Sequence, residues 1–243
     1  MTTEHDQAAA QLRAEVHHDH RDVTGGWLRP AVFGAMDGLI SNFSLISGFA
    51  GANADSHLVI LSGLGGLVAG AFSMAVGEYV SVASQSDLAR AEIDVERREL
   101  RHNAEAERQE LAQLYISRGV EPDLAHEVAR QLSRDPEQAL EIHAREELGV
   151  SSNDLPSPLL AAGSSFASFS LGAVLPLLPF VLGASALFPA AIVAGLALFA
   201  AGATVARITA RPWWYGGLRQ LVLGAAAAAI TFGVGAAIGT HIS

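Results

Sequence analysis

The sequence predicts an all-α fold: a five-span transmembrane helical bundle interrupted by a polar helical insert between spans two and three. Three observations predict it. Half of the 243 residues are hydrophobic, the mean hydropathy is +0.31, and only 16% are charged, against roughly 25% in ordinary soluble domains. The apolar residues gather in two blocks, 31–83 and 157–240, which together hold very few charges. The stretch separating those blocks, residues 87–150, carries 16 acids against 9 arginines and is rich in helix formers. The chain has no cysteine, which excludes disulfides and thiolate metal sites. A net charge of −10 and a pI near 5.3 argue against a nucleic-acid partner.

Residues 1–29 read as a flexible polar tail with no secretory signal. Its "HHDH" (His17, His18, Asp19, His20) offers metal-binding side chains at a spacing that fixes no geometry. Within 30–83 the first span is expected at 31–52 and the second at 58–83, joined by the short "GANADSH". Within 157–240 three more are expected near 158–182, 186–206 and 214–239. Arg13, Arg21 and Arg29 precede span one, the insert follows span two, and Arg207, Arg211 and Arg219 surround the link before span five. With five spans all three segments fall on one side. The positive-inside rule then places the N-terminus and the insert in the cytoplasm and the C-terminus outside. All basic residues are arginine, a high-GC usage that, with no targeting segment, points to a bacterial plasma membrane.

The insert, residues 84–150, is expected to form helices at 84–102, 104–118, 122–133 and 136–148. Asn103 is placed to cap the second, and Pro122 and Pro136 stand in the first turns of the last two. Glu96-x-x-Glu99 and Glu107-x-x-Glu110 each put two carboxylates three apart on a helix, about 5–6 Å between Cβ atoms. Like charges so placed destabilise the helix unless a cation sits between them, and di-metal helical bundles use inward glutamates and Glu-x-x-His in this manner. His143 and Glu147, four apart on the last helix, complete a third pair. Carboxylate and imidazole together suit divalent manganese or ferrous iron. The alternative is a solvated amphipathic helix in which Arg97, Arg98, Arg101 and Arg108 neutralise the acids.

In the membrane blocks, Asp37 and Glu78 are the acids within or at the edge of spans one and two. An ionisable group there costs roughly 2.5–3.5 kcal/mol on insertion scales and is a functional candidate by default. Asp37, Ser41 and Ser44 give span one a polar stripe, and Met74 shares a face with Glu78. Gly63, Gly66, Gly70 and Gly77 allow close helix approach on a related face. For Glu78 an interfacial carboxylate is the competing reading. Pro176 and Pro179 are expected to bend span three, and span five carries only small and apolar residues suited to packing.

Taken together, "DGLISNFSLISGFAGA", "AGAFSMAVGEYVSVASQSDL", the acidic insert, "FSLGAVLPLLPF" and "GATVARIT" resemble the vacuolar iron transporter family, with its yeast calcium-sensitivity cross-complementer and plant nodulin-like relatives. The resemblance covers about residues 30–240. It implies a homodimer of five-span protomers, in contact with the lipid bilayer, that exchanges cytosolic ferrous iron or manganese for protons. It implies, too, that residues 84–150 are a cytoplasmic helical metal-binding domain. Carried over by position, the cytosolic ligands are Glu96, Glu99, Glu107, Glu110 and Glu147; Asp37 and Met74 line the membrane path, with Glu78 near its cytoplasmic mouth. His143 stands where the family's methionine is expected, and an imidazole ligand makes affinity fall as pH drops through its titration range. On this reading the protein is a metal/proton antiporter for homeostasis and detoxification and is not an enzyme; no H-E-x-x-H or G-x-S-x-G occurs. The runner-up is a membrane-anchored iron buffer or ferroxidase-like protein through which nothing crosses.

Overall fold

The computed structural model describes residues 26–151 and 154–242, so the tail histidines, Arg13 and Arg21 lie outside the described residues. Among the described residues the chain is helical, in the order α1 (Leu28–Gly51), α2 (Ser56–His102), α3 (Ala104–Ser117), α4 (Pro122–Leu132), α5 (Pro136–Glu147), α6 (Pro158–Val181), α7 (Leu187–Ile208) and α8 (Trp213–Ile242). Five of these, α1, α2, α6, α7 and α8, are long and apolar enough to cross a membrane. α1, α6, α7 and α8 match the expected spans to within three residues at each end, and α2 starts two residues before the expected second span but runs on well past its expected end. Side chains such as Leu61, Phe72, Leu171 and Leu196 remain exposed on their outer faces, as an apolar solvent permits.

α1 occupies the centre of the bundle and touches α2, α6, α7 and α8. Its sequence allows this because glycines stand where other backbones cross. A Cβ at Gly38 would overlap the Phe169 carbonyl of α6, and one at Gly51 would overlap the Phe232 carbonyl of α8. The same logic holds on α2, where a Cβ at Gly70 would strike the Phe169 ring. Gly65 and Gly77, by contrast, have nothing within 4 Å. The apolar centre joins Phe43 and Ile46 of α1, Val59 of α2, Leu177 and Phe180 of α6 and Ala190 of α7.

Pro176 and Pro179 both lie inside α6, which continues through them to Val181. Each removes one backbone donor from the helix. Near the turn so loosened, Asn42 of α1 donates its Nδ2 hydrogen to the Ala173 carbonyl at 2.6 Å. An amide from the neighbouring helix thus adds a cross-helix hydrogen bond beside the carbonyls that the prolines leave without a donor.

Span 58–83 and insert helix 84–102 form one uninterrupted helix of 47 residues. Asp55 opens it by accepting from Leu58 N at 2.8 Å, and no proline or glycine interrupts it after Gly77. At 1.5 Å per residue it runs roughly 70 Å, more than twice the ~30 Å hydrocarbon thickness of a bilayer. Its distal half therefore stands clear of the bundle and carries α3–α5. Pro122 and Pro136 occupy the first turns of α4 and α5 as expected, with Asp135 accepting from Glu137 N and Gln138 N. Asn103 does take the N-cap position of α3, but through its backbone carbonyl; its side chain instead donates to Glu99 at 2.6 Å. Two small cores hold the insert: Ile93 of α2 with Leu140 and Ala144 of α5, and Leu111 and Ala112 of α3 with Ala129 of α4.

The glycine contacts predict a sharp contrast. Gly38→Ala should lower the thermal stability of detergent-purified protein by several degrees, because the Phe169 backbone cannot yield. Gly65→Ala should leave it unchanged or slightly higher, since open space receives the methyl and alanine is the better helix former. Size-exclusion chromatography after a heating series reads both.

Candidate metal site

The two small cores of the insert fix three helices so that their acids converge. Ile93 and Leu140 dock α5 on α2, which turns Glu96 of α2 toward His143 and Glu147 of α5. Leu111 and Ala112 anchor α3, one turn beyond Glu107. One donor atom from each of Glu96, Glu107, His143 and Glu147 lies within 4.8 Å of every other. His143 Nδ1 is 2.9 Å from Glu147 Oε1, 3.0 Å from Glu96 Oε1 and 3.8 Å from Glu107 Oε2. Donors around an octahedral ion with bonds near 2.1 Å sit roughly 3 Å apart, so the side chains are already close to coordinating separation.

His143 is fully buried, with 0% of its side chain exposed. Its Nδ1 lies within hydrogen-bond distance of Glu147 Oε1 and donates to it in the tautomer that carries the proton on that nitrogen. Glu96 Oε1 is left buried without a hydrogen-bond donor despite its closeness to the ring, and His143 Nε2 is likewise unpartnered. A self-contained polar core would not orphan a carboxylate oxygen, because each such atom costs about 1–3 kcal/mol. A cation would satisfy it.

The arginines do not supply that cation. Arg97 pairs with Asp94, Arg108 with Glu105, Arg118 with Glu146 and Arg145 with Glu141. Among the described residues none lies within ion-pair distance of Glu96, Glu107 or Glu147. The acids therefore act on one another. Burial, then Glu147 and Glu107, push the Glu96 carboxyl up to about 7. Burial and Glu110 raise Glu107 as well, against an opposing pull from His143.

Glu99 and Glu110, the second members of the two pairs, are exposed and outside the four-residue cluster. Three residues on a helix turn the side chain through about 300°, so only one member of each pair can face α5 squarely. Glu99 accepts from Asn103. Glu110 stays near enough to raise both Glu96 and Glu107.

In the bundle, Asp37 and Met74 share a pocket of about 210 Å³ with Ser41, Asn42, Ser73 and the Phe169 ring. Gly66 and Gly70 form part of its wall, so the glycine stripe of α2 makes room for it. Ser41 donates to the Asp37 backbone carbonyl. Ser44 is buried and unpaired and lines a separate groove against α8. Glu78 does not reach this pocket. It accepts from Arg29 at 3.0 Å, a pair in which the arginine is 71% exposed and the glutamate 10%. Asn42 and Ser73 are the polar pocket residues that the sequence reading did not single out. The signal was there: a lone amide in "LISNFSLISG" had to find a partner.

Glu96 lies eighteen residues beyond Glu78 on one continuous helix, roughly 27 Å at 1.5 Å per residue. The cluster thus stands well away from the membrane pocket and not at its rim.

A family model described as the VIT family matches residues 28–236. A vacuolar iron transporter of Acanthamoeba castellanii is 41% identical over 215 residues, covering 87% of this chain and 78% of that protein. Vacuolar iron transporter homolog 1 of Arabidopsis thaliana is 35% identical over 218 residues, covering 88% and 84%. Vacuolar iron transporter 2 of Oryza sativa subsp. japonica is 29% identical over 236 residues, covering 96% of each.

The raised carboxyl of Glu96 gives a pH dependence of definite sign. A carboxyl with a higher pKa folded than unfolded binds more protons in the folded state. Stability of the metal-free insert should therefore fall as pH rises from about 4.5 through about 7. Glu96→Gln should flatten that profile, and manganese should restore stability most strongly above about pH 7, where the ligands are deprotonated. Thermal unfolding followed by circular dichroism across that range, with and without manganese, checks the three together.

Proposed function

The chain belongs to the VIT family, and from that premise we propose that it carries ferrous iron or manganese out of the cytosol in exchange for protons. The observation that carries this reading is the cluster of Glu96, Glu107, Glu147 and the buried His143, in which Glu96 belongs to the same continuous helix that walls the pocket of Asp37 and Met74. Three oxygen donors and one imidazole suit a hard or borderline divalent ion. The named relatives are iron transporters, which favours ferrous iron as the cargo.

In this scheme the insert lies in the cytosol and collects the ion. Glu96, Glu107, Glu147 and His143 hold it, while Glu99 and Glu110 form an acidic rim that attracts it. Loading displaces the protons that the crowded carboxylates otherwise retain, so uptake by the cluster and proton release are linked. Within the bilayer Asp37 takes the ion when ionised and carries a proton on the return. Met74 offers a polarisable thioether beside it. Glu78, held by Arg29, marks the cytoplasmic mouth. Two such protomers associate as a homodimer, in a bacterial plasma membrane where this polarity means efflux and protection from excess metal.

Reconstitution into proteoliposomes tests the scheme. Asp37→Asn should reduce ferrous-iron and manganese flux to the level of empty vesicles, with and without a pH gradient. Glu96→Gln should raise the metal concentration giving half-maximal flux and leave the maximal rate nearly intact. Wild-type, proton-coupled flux in Asp37→Asn would overturn the transport mechanism and leave the insert as a metal buffer.

A further inference from the structure

A second groove lies on the other side of α1, between α1, α7 and α8, at the end of the bundle from which α2 runs on into the insert. Its volume is about 630 Å³. Arg29, Arg219 and Gln220 line it near the helix starts, while Val32, Phe33 and Leu223 form apolar walls further in. Arg219, Gln220 and its apolar walls have no part in the metal scheme. From the groove's charge and shape we propose that it binds one anionic phospholipid, with the phosphate between Arg29 and Arg219 and an acyl chain along the apolar walls.

The charge balance selects an anion. The chain is acidic overall, yet two arginines, Arg29 and Arg219, line this groove. Arg29 is neutralised by Glu78, whereas Arg219 forms no ion pair among the described residues. One positive charge is left over, which matches a phosphodiester that carries no compensating amine. Basic pockets between membrane helices bind such headgroups, each guanidinium contributing near the surface. The depth also fits. Trp213, Trp214 and Tyr215 are exposed at the start of α8, and aromatic residues of this kind mark the interface between headgroups and hydrocarbon. Long arginine stems bring the charge up to that level while their methylenes lie on the apolar wall. Asp37 also borders the groove, but it is eight residues beyond Arg29, roughly 12 Å deeper, where a hydrocarbon tail and not the phosphate would pass. A second copy of the chain is the weaker occupant, because a two-fold contact centred here would press two sets of guanidiniums together.

Native mass spectrometry of the full chain in mild detergent, titrated with phosphatidylglycerol or phosphatidylcholine of matched tails, tests the assignment. Wild type should retain phosphatidylglycerol selectively. Arg219→Gln should weaken that retention about fivefold, the worth of one interfacial charge. Val205→Trp, which fills the groove, should abolish it, while both variants keep manganese binding at the insert and wild-type helical circular dichroism. Equal affinity of wild type and Arg219→Gln, or no preference between the two lipids, would overturn the proposal. So would a marked gain in lipid binding on deleting residues 1–25, which would make the tail the occupant. Efficient disulfide dimerisation of Leu223→Cys, in this otherwise cysteine-free chain, would assign the groove to a second copy and overturn it too.

Discussion

Three carboxylates held against one buried imidazole, with Arg97, Arg108, Arg118 and Arg145 each committed to a different acid, form the constraint around which the insert is organised. Mutual repulsion in a partly dry site disfavours full ionisation, so the acids retain protons or accept a cation. Either way the cluster trades one positive charge for another. The small apolar contacts of Ile93, Leu140 and Ala144 matter because they hold α5 against that repulsion. Without a cation the helices meet through few side chains; with one, ligands from α2, α3 and α5 share a common centre.

The bundle solves a different problem by a related economy of space. α1 is surrounded on four sides, which backbone-to-backbone contact at Gly38 and Gly51 makes possible. The same closeness brings Asn42 to the weakened turn of α6. It also leaves a pocket at Asp37, where Gly66 and Gly70 withdraw side-chain volume from α2. Small residues thus serve packing in one register and polarity in the next.

Much of this was legible in the sequence. The five apolar stretches predicted the spans because hydrocarbon thickness sets a minimum length that charge-poor runs alone meet. Pro122 and Pro136 marked helix starts because a missing N–H is tolerated only there. Glu96, Glu107, His143 and Glu147 were all singled out from spacing or resemblance. What spacing does not carry is which member of a pair faces inward: that depends on how α5 docks on Ile93, a contact forty-seven residues away along the chain from Leu140. For the same reason the partner of Glu78 was hidden, since Arg29 reaches it across two helices. Asn42 escaped notice because its carbonyl partner exists only where α1 and α6 cross.

The unbroken course of α2 has a mechanical consequence. With no proline or glycine between Glu78 and Glu96, the far end behaves as a lever arm fixed in the bilayer. A tilt of roughly 10° at the fulcrum displaces a point about 27 Å away by about 5 Å, more than the width of an ion's coordination shell. A metal ion that locked three helices together at the tip would therefore be felt at the fulcrum as torque, and thickness or curvature of the bilayer would be felt at the tip as a change in the spacing of the cluster's carboxylates.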